Sequence, residues 1–254
     1  MALTLRVVDA FTDEPFAGNP AAVAVLERFP PDNRMQAIAR EMHLSETAFV
    51  VPRDDTEYDL RWFTPLVEVD LCGHATLASA HVVGGAVAFH TRSGRLACSE
   101  SDDGWIDMAL PPDPPVAADP PPLASSAEWR WYGRGRSDVV IELGKATQVR
   151  SYEPDLRALA ALRSRAVVIT AAGDRDGIDC VSRVFAPNVG IPEDPVTGSV
   201  HTALAAFWSH RLGKDQLVGE QASPRGGIVR MRVADDHVVV SGKAVTVSEV
   251  NLLV

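Results

Sequence analysis

Two short stretches carry residue types that can move protons. Cys72-Gly73-His74 sets a thiol and an imidazole two residues apart, just ahead of the small-residue stretch Ala75-Thr76-Leu77-Ala78-Ser79-Ala80. Glu193-Asp194-Pro195-Val196-Thr197-Gly198-Ser199 sets carboxylates and two hydroxyls ahead of a second stretch of that kind. Arg61-Trp62-Phe63-Thr64-Pro65 precedes the first and Arg183-Val184-Phe185-Ala186-Pro187 the second, and one offset of 122 residues separates Arg61 from Arg183, Phe63 from Phe185 and Cys72 from Asp194. A repeat of half the chain predicts two pseudo-symmetric halves. It also predicts that Cys72 and Asp194 are equivalent, each at the start of a helix. Two reactive side chains facing each other across a two-fold cleft would handle protons on both sides of a substrate.

The first turn of a helix carries unpaired N–H groups and a partial positive charge, so it can receive a carboxylate or phosphate. Gly73 and Gly198 let a ligand approach the backbone, and Thr76, Thr197 and Ser199 add hydroxyl donors. The plainer alternative is ordinary capping, with Asp194 accepting N–H bonds from the turn that follows it. At a helix start Cys72 is expected to have a lowered pKa, as a thiolate base needs, although a lone cysteine is commonly buried and inert. His74 could position or protonate a substrate oxygen, or serve only as a structural hydrogen bonder. Glu46 stands at the polar start of the apolar strand Thr47–Val50. The corresponding stretch of the second half, Ser164-Arg165-Ala166-Val167-Val168, offers no carboxylate, so any base at this position is a single one. Gly18-Asn19-Pro20 and Arg225-Gly226-Gly227 are permissive turns able to show an amide or bare backbone to a ligand. The other histidines show no metal-ligand spacing with a cysteine or acid, so no metal site is predicted.

These residues need elements to hold them. The first half reads as strands Leu3–Ala10 and Ala21–Leu26, a helix over 32–42 with Met35, Ile38, Ala39 and Met42 on one face, and strands Thr47–Pro52 and Tyr58–Phe63. The helix after Cys72 and a hairpin of Arg95–Glu100 and Trp105–Leu110 complete it. The second half echoes the order: strand Val139–Leu143, a helix near Pro154–Leu162, strands Ala166–Thr170 and Cys180–Phe185, then the helix after Asp194. The chain ends in strands Gly227–Val233, His237–Ser241 and Ala244–Leu253. Many short strands with one prominent helix per half predict an α/β (α+β) fold of two domains, each a curled, mostly antiparallel sheet around a central helix. The prolines of 113–122 read as a stiff linker. The halves are then 1–112 and 123–244, with the last strand, about 245–254, available to complete the first.

Composition excludes some roles. The 254 residues carry a formal net charge of −10, which argues against a nucleic-acid partner. Three cysteines make no disulfide framework and fit the cytosol. No apolar run is long enough to span a bilayer, so no membrane association is expected.

Taken together, Asp9-Ala10-Phe11-Thr12 with Phe16-Ala17-Gly18-Asn19-Pro20, Ser45-Glu46-Thr47-Ala48-Phe49, Leu71-Cys72-Gly73-His74-Ala75-Thr76, Glu193 through Ser199, and Gln221-Ala222-Ser223-Pro224-Arg225-Gly226-Gly227 resemble the phenazine-biosynthesis PhzF-like isomerase family. That family has the diaminopimelate-epimerase-like fold. The resemblance implies two similar domains with the active site between them, a cofactor-free enzyme, a small-molecule substrate and a homodimer. The phenazine enzyme isomerises trans-2,3-dihydro-3-hydroxyanthranilate by moving a proton. The family's catalytic glutamate falls on Glu46, and its active-site histidine, aspartate and serine fall on His74, Asp194 and Ser199. The resemblance makes Glu46, His74 and Asp194 the catalytic candidates. Asn19, Cys72, Gly73, Thr197, Gly198, Ser199, Gly226 and Gly227 are the candidate substrate contacts. Epimerases of the wider fold use two opposed cysteines, and Asp194 at the second position disfavours a thiol pair. An epimerase using Cys72 and Asp194, or a catalytically silent binding protein, are the alternatives.

Overall fold

The structure, a computed structural model, describes residues 2–121 and 129–253. In chain order the elements are β1 (Ala2–Ala10), β2 (Asn19–Val25), α1 (Asp32–Met42), β3 (Glu46–Pro52), β4 (Glu57–Phe63), β5 (Glu68–Val69), α2 (Gly73–Val83), β6 (Ala86–Thr91), β7 (Gly94–Glu100) and β8 (Ile106–Leu110). There follow β9 (Val116–Ala117), β10 (Trp129–Arg134), β11 (Val139–Leu143), α3 (Ala146–Arg150), α4 (Leu156–Ala160), β12 (Val167–Ala172), β13 (Cys180–Ala186) and β14 (Ile191–Asp194). The last are α5 (Val200–Leu212), β15 (Gln216–Gln221), β16 (Gly227–Val233), β17 (Val238–Gly242) and β18 (Ala244–Leu253). Two compact units result, Met1–Ala109 with Ser241–Val254, and Leu110–Val240.

In the first unit β1 pairs antiparallel with β18 and β2, β2 parallel with β3, and β3 antiparallel with β4. Next, β4 pairs antiparallel with β5 and parallel with β6, and β6 antiparallel with β7. Helix α2 is buried from Gly73 through Ala80 with no polar face, the mark of a helix enclosed on all sides. It packs against β1, β2 and β3 and also against β7, strands far apart in the sheet order, so the sheet must curl around it. Helix α1 lies on the other face. Met35, Ile38 and Ala39, at helical spacing, pack with Ala22, Ala24, Phe49 and Phe63.

The second unit repeats this wiring. Strand β10 pairs antiparallel with β11, β11 parallel with β12, and β12 antiparallel with β13. Then β13 pairs antiparallel with β14 and parallel with β15, and β15 antiparallel with β16. Helix α5 packs on β15 and β16, yet its Trp208 Nε1 donates to Thr170 Oγ1 of β12 at 3.0 Å, and its Phe207 ring lies 4.7 Å from Trp131 of β10. This sheet also wraps its helix. The repeated Arg-x-Phe signature is structural. Arg61 lies over Phe63 at 5.3 Å and pairs with both oxygens of Glu68, while Arg183 lies over Phe185 at 5.1 Å and pairs with both oxygens of Glu193.

Two expectations differ from what the chain does, and one short helix was not foreseen. The helix expected near 154–162 is α4, which Asp155 caps by accepting from Arg157 N and Ala158 N, and the unforeseen α3 precedes it. The proline-rich 113–122 segment lies in the second unit as far as it is described, and Val116–Ala117 pair with Gly133 and Arg134; Pro122 is outside the described residues. Last, α5 begins at Val200, so Asp194 closes β14 and does not open the helix. Pro195 is the reason, because a residue before proline is driven to extended backbone.

Candidate active site

In the first unit, strand periodicity selects the residues that meet. Ala22, Ala24 and Phe49 face α1, so Asn19, Ala21, Glu46 and Ala48 face the α2 side. Glu46 and Asn19 are the first residues of neighbouring parallel strands, with Ala21 opposite Glu46. Cys72 is the N-cap residue of α2 in extended conformation, and His74 lies in the first turn. The three converge: His74 Nε2 is 3.1 Å from Glu46 Oε2, and His74 Nδ1 is 3.5 Å from Cys72 Sγ. Asn19 Nδ2 lies 3.2 Å from the same Nδ1, and Ser45 Oγ donates to Asn19 Oδ1 at 3.4 Å.

The Glu46–His74 contact is close but not aligned as a hydrogen bond. Glu46 Oε2 and His74 Nε2 are both buried without a hydrogen-bond partner, in residues only 8% and 5% exposed. Such a pair is costly to bury and is satisfied once a proton or a ligand atom bridges it. Burial works against a charge on His74, but the neighbouring sulfur and the Glu46 carboxylate outweigh it and hold its pKa well above the ordinary imidazole value. A neutral ring accepts from Asn19 Nδ2 as placed. A protonated ring is served by the amide turned over, with Oδ1 toward Nδ1 and Nδ2 toward Ser45 Oγ.

Cys72 reverses one expectation. Burial, then the Glu46 charge, push its thiol above the usual range, and the helix start does not compensate. The sulfur, nitrogen and oxygen donors of Cys72, His74 and Glu46 lie within 4.8 Å of one another, a set able to hold a divalent ion. Sequence spacing gave no sign of it, because Glu46 is brought in by the sheet. The imidazole stands between its partners, with Nδ1 on the sulfur and Nε2 on the carboxylate, so neither ring nitrogen reaches both at close range.

In the second unit Asp194, Thr197, Gly198 and Ser199 form a tight turn before α5. Asp194 is not the N-cap residue of α5, which is Ser199; its Oδ2 accepts a short hydrogen bond from the Thr197 hydroxyl. Gln221, at the end of β15, ties the turn by donating Nε2 to Asp194 O at 2.7 Å and accepting Thr197 N–H at 2.9 Å. Ser223 Oγ donates to Pro195 O at 2.7 Å and accepts the Gly226 N–H at 3.0 Å. The Gly226 N–H is therefore occupied within the loop, and Gly227 opens β16 opposite Gln221. Gln221, Ser223, Ser45 and the pair Asp138–Arg165 are residues that sequence reasoning did not assign to the site. The first three stand inside motifs whose signal was visible, whereas Asp138 carried none.

His201, in the first turn of α5, is fully buried. Its Nδ1–H donates to Thr197 O at 2.8 Å, and burial pushes its pKa down to about 4. An unfolded histidine titrates near 6.5, so between pH 6.5 and 4 the unfolded chain binds a proton that the native one refuses, and stability falls as pH falls through that window. We expect a loss of about 2 kcal/mol at pH 5 from this group. Urea unfolding of the wild type and His201→Asn at pH 7 and pH 5 checks it: the variant's pH dependence should be shallower by that amount, and an equal dependence would show that His201 is not the cause.

With this geometry in view, the chain's relatives can be placed. The profile of the phenazine biosynthesis-like protein family matches residues 8–250. An uncharacterized isomerase of Halalkalibacterium halodurans is 40% identical over 100% of this chain and 99% of its own length. An uncharacterized isomerase of Pseudomonas aeruginosa is 45% identical over 96% of each chain. A crystal structure of a PhzF-family phenazine biosynthesis protein of Enterococcus faecalis superposes with a TM-score of 0.93 at 38% identity, covering 100% of both chains. A hydroxyproline epimerase of Agrobacterium vitis, at 10% identity and a TM-score of 0.66 over 99% of this chain and 92% of its own, shares the fold. Among the described residues no helix is long and apolar enough to cross a membrane.

Proposed function

Because the chain belongs to the phenazine biosynthesis-like family and is an isomerase with the epimerase-like fold, we propose that it moves a proton within a small carboxylate-bearing substrate of the trans-2,3-dihydro-3-hydroxyanthranilate type. The observation that supports this most is the buried, unbridged approach of Glu46 Oε2 to His74 Nε2. Glu46 takes the proton: a C–H bond breaks, a carboxyl O–H forms, and the electron pair shifts along the substrate. The same carboxyl then returns the proton to another carbon of that substrate, so no co-reactant is consumed. His74 steadies the charge on Glu46 or donates to a substrate oxygen, and Asn19 sets which ring nitrogen is free to do so. Asp194, Thr197, Gly198 and Ser199 are assigned to substrate binding, and Gly73 to close backbone approach. The homodimer and cytoplasmic location implied by the resemblance belong to the same proposal; light scattering on the purified chain reads the first.

The test is incubation with trans-2,3-dihydro-3-hydroxyanthranilate, followed by the substrate's ultraviolet spectrum and by deuterium uptake from heavy water. Turnover by the wild type that is lost in Glu46→Gln supports the reading. Equal turnover by both would sink it.

Cys72 separates this reading from an epimerase that uses Cys72 and Asp194 as opposed acid and base. A thiol pushed up by burial is a poor base at neutral pH. Cys72→Ala is expected to keep turnover within about tenfold of wild type, well short of the roughly 10²–10⁴-fold that a general acid–base contributes. Loss on the Glu46→Gln scale, measured as kcat, would move the proton transfer to the thiol.

A further inference from the structure

In the second unit an ion pair between a buried aspartate and a solvent-exposed arginine ends on a hydroxyl. Asp138, just ahead of β11, is 3% exposed and accepts from Arg165 through both oxygens, Oδ1 from Nε at 2.9 Å and Oδ2 from Nη2 at 2.5 Å. Its Oδ1 also accepts the Ala166 N–H at 3.2 Å. This two-point clamp fixes the guanidinium plane. The outer edge of that plane carries Nη1 and Nη2, each 3.2 Å from Ser199 Oγ and each donating to it.

A serine hydroxyl has two acceptor lone pairs and one donor proton. Two guanidinium donors occupy the acceptor side, so the proton must point away from Arg165. The Ser199 side chain makes no cap to α5, and among the described residues its hydroxyl donates to nothing. The neighbouring cation also polarises the O–H bond. The negative charges that act on Arg165 are Asp138 in contact, then Asp194 and Asp113. They leave the guanidinium in place as a donor and weaken it as an open anion receptor, which favours a role exerted through Ser199. Arg165 stands two residues before β12, the counterpart of β3, whose first residue is Glu46. The repeat thus places an acid at one strand start and a clamped cation near the other.

We propose that Arg165, held by Asp138, is a positioning residue that aims the Ser199 hydroxyl as a fixed, polarised donor toward an acceptor oxygen of a small carboxylic-acid ligand. Only the identity of that ligand rests on the isomerase reading.

The first test needs no substrate. Ser199→Cys places a thiol where the hydroxyl stands, while Cys72, Cys98 and Cys180 are buried. The pH dependence of iodoacetamide alkylation then gives the new thiol's pKa, with Ser199→Ala as the blank. It is expected to lie lower by about one unit or more with Arg165 present than in Ser199→Cys/Arg165→Met, as for an ionisable group beside an opposite charge. Should the methionine variant not fold by circular dichroism, Ser199→Cys/Arg165→Lys carries the comparison. A lysine ammonium keeps the charge but lacks the planar fork that sets two nitrogens on one oxygen, so a smaller rise of the same sign is expected. Equal pKa values overturn the proposal.

The second test is a double-mutant cycle on kcat/KM with trans-2,3-dihydro-3-hydroxyanthranilate. Arg165→Met should lower kcat/KM in the wild type and have no further effect in Ser199→Ala, whereas additive losses overturn the positioning role. Failure of the isomerase reading shows separately, as turnover that survives Glu46→Gln, and leaves the alkylation result standing.

Discussion

Replacing Glu46 by glutamine is expected to lower turnover by roughly 10²- to 10⁴-fold while leaving the fold intact. The substitution keeps the shape of the side chain and removes its capacity to accept a proton. The position is the first residue of β3, buried on the α2 side, and its backbone pairing with Ala21 of β2 does not involve the carboxylate. Because glutamine fills the same buried space, melting should shift by no more than a few degrees. A second readout separates lost chemistry from lost structure. The neighbouring sulfur and the carboxylate together hold the His74 pKa up against burial, the largest opposing influence. In Glu46→Gln the carboxylate's share of that support is gone, so His74 should titrate below its wild-type value in a proton NMR titration. A variant that keeps wild-type kcat, or in which His74 does not move, would place the proton transfer elsewhere.

Much of this site was legible in the sequence, and the reasons differ from residue to residue. The 122-residue offset between Cys72 and Asp194 marked two equivalent strand–turn–helix segments, and the strand pairings repeat in the same order in both units. Helix α1 has the bounds that its apolar spacing gave, because a one-sided helix shows its period. Helices α2 and α5 are buried all round, so period alone could not delimit them. Gly84 and Gly85, both at positive φ, end α2 and release the chain into β6, a strand whose start Ala86-Val87-Ala88-Phe89 is apolar throughout and shows no period of its own. The equivalence of Cys72 and Asp194 held in sequence and failed in geometry, since Pro195 keeps Asp194 in β14 and delays α5. The Cys72 pKa was misjudged because a helix start argues for a low value, and only the structure shows that burial dominates. Asp138 and Arg165 were invisible as a pair: 27 residues separate them, and the parallel pairing of β11 with β12 brings them together.

Gly18→Ala is expected to cost about 3 kcal/mol of stability and to lower kcat as well. Gly18 has φ +63°, a left-handed conformation that costs an L-residue about 1–2 kcal/mol. A Cβ placed there would also stand 2.2 Å from Ala10 O and 2.7 Å from Thr12 Cγ2, the first a backbone atom of β1 that cannot rotate away. The β1–β2 connection would have to open, which adds the remaining cost. The next residue is Asn19, whose amide lies 3.2 Å from His74 Nδ1 and whose backbone pairs with Ala10. Opening the turn therefore moves the group that selects the free nitrogen of the histidine. A displacement of about 1 Å in a positioned catalytic group can cost about 10²-fold in rate. Urea unfolding reads the first effect and kcat the second. Asn19→Ala separates them, since it should reduce kcat with a smaller loss of stability than Gly18→Ala. If Gly18→Ala destabilised the protein yet left kcat unchanged, Asn19 would have no part in setting the histidine, and the Glu46–His74 pair would have to be oriented by Cys72 alone.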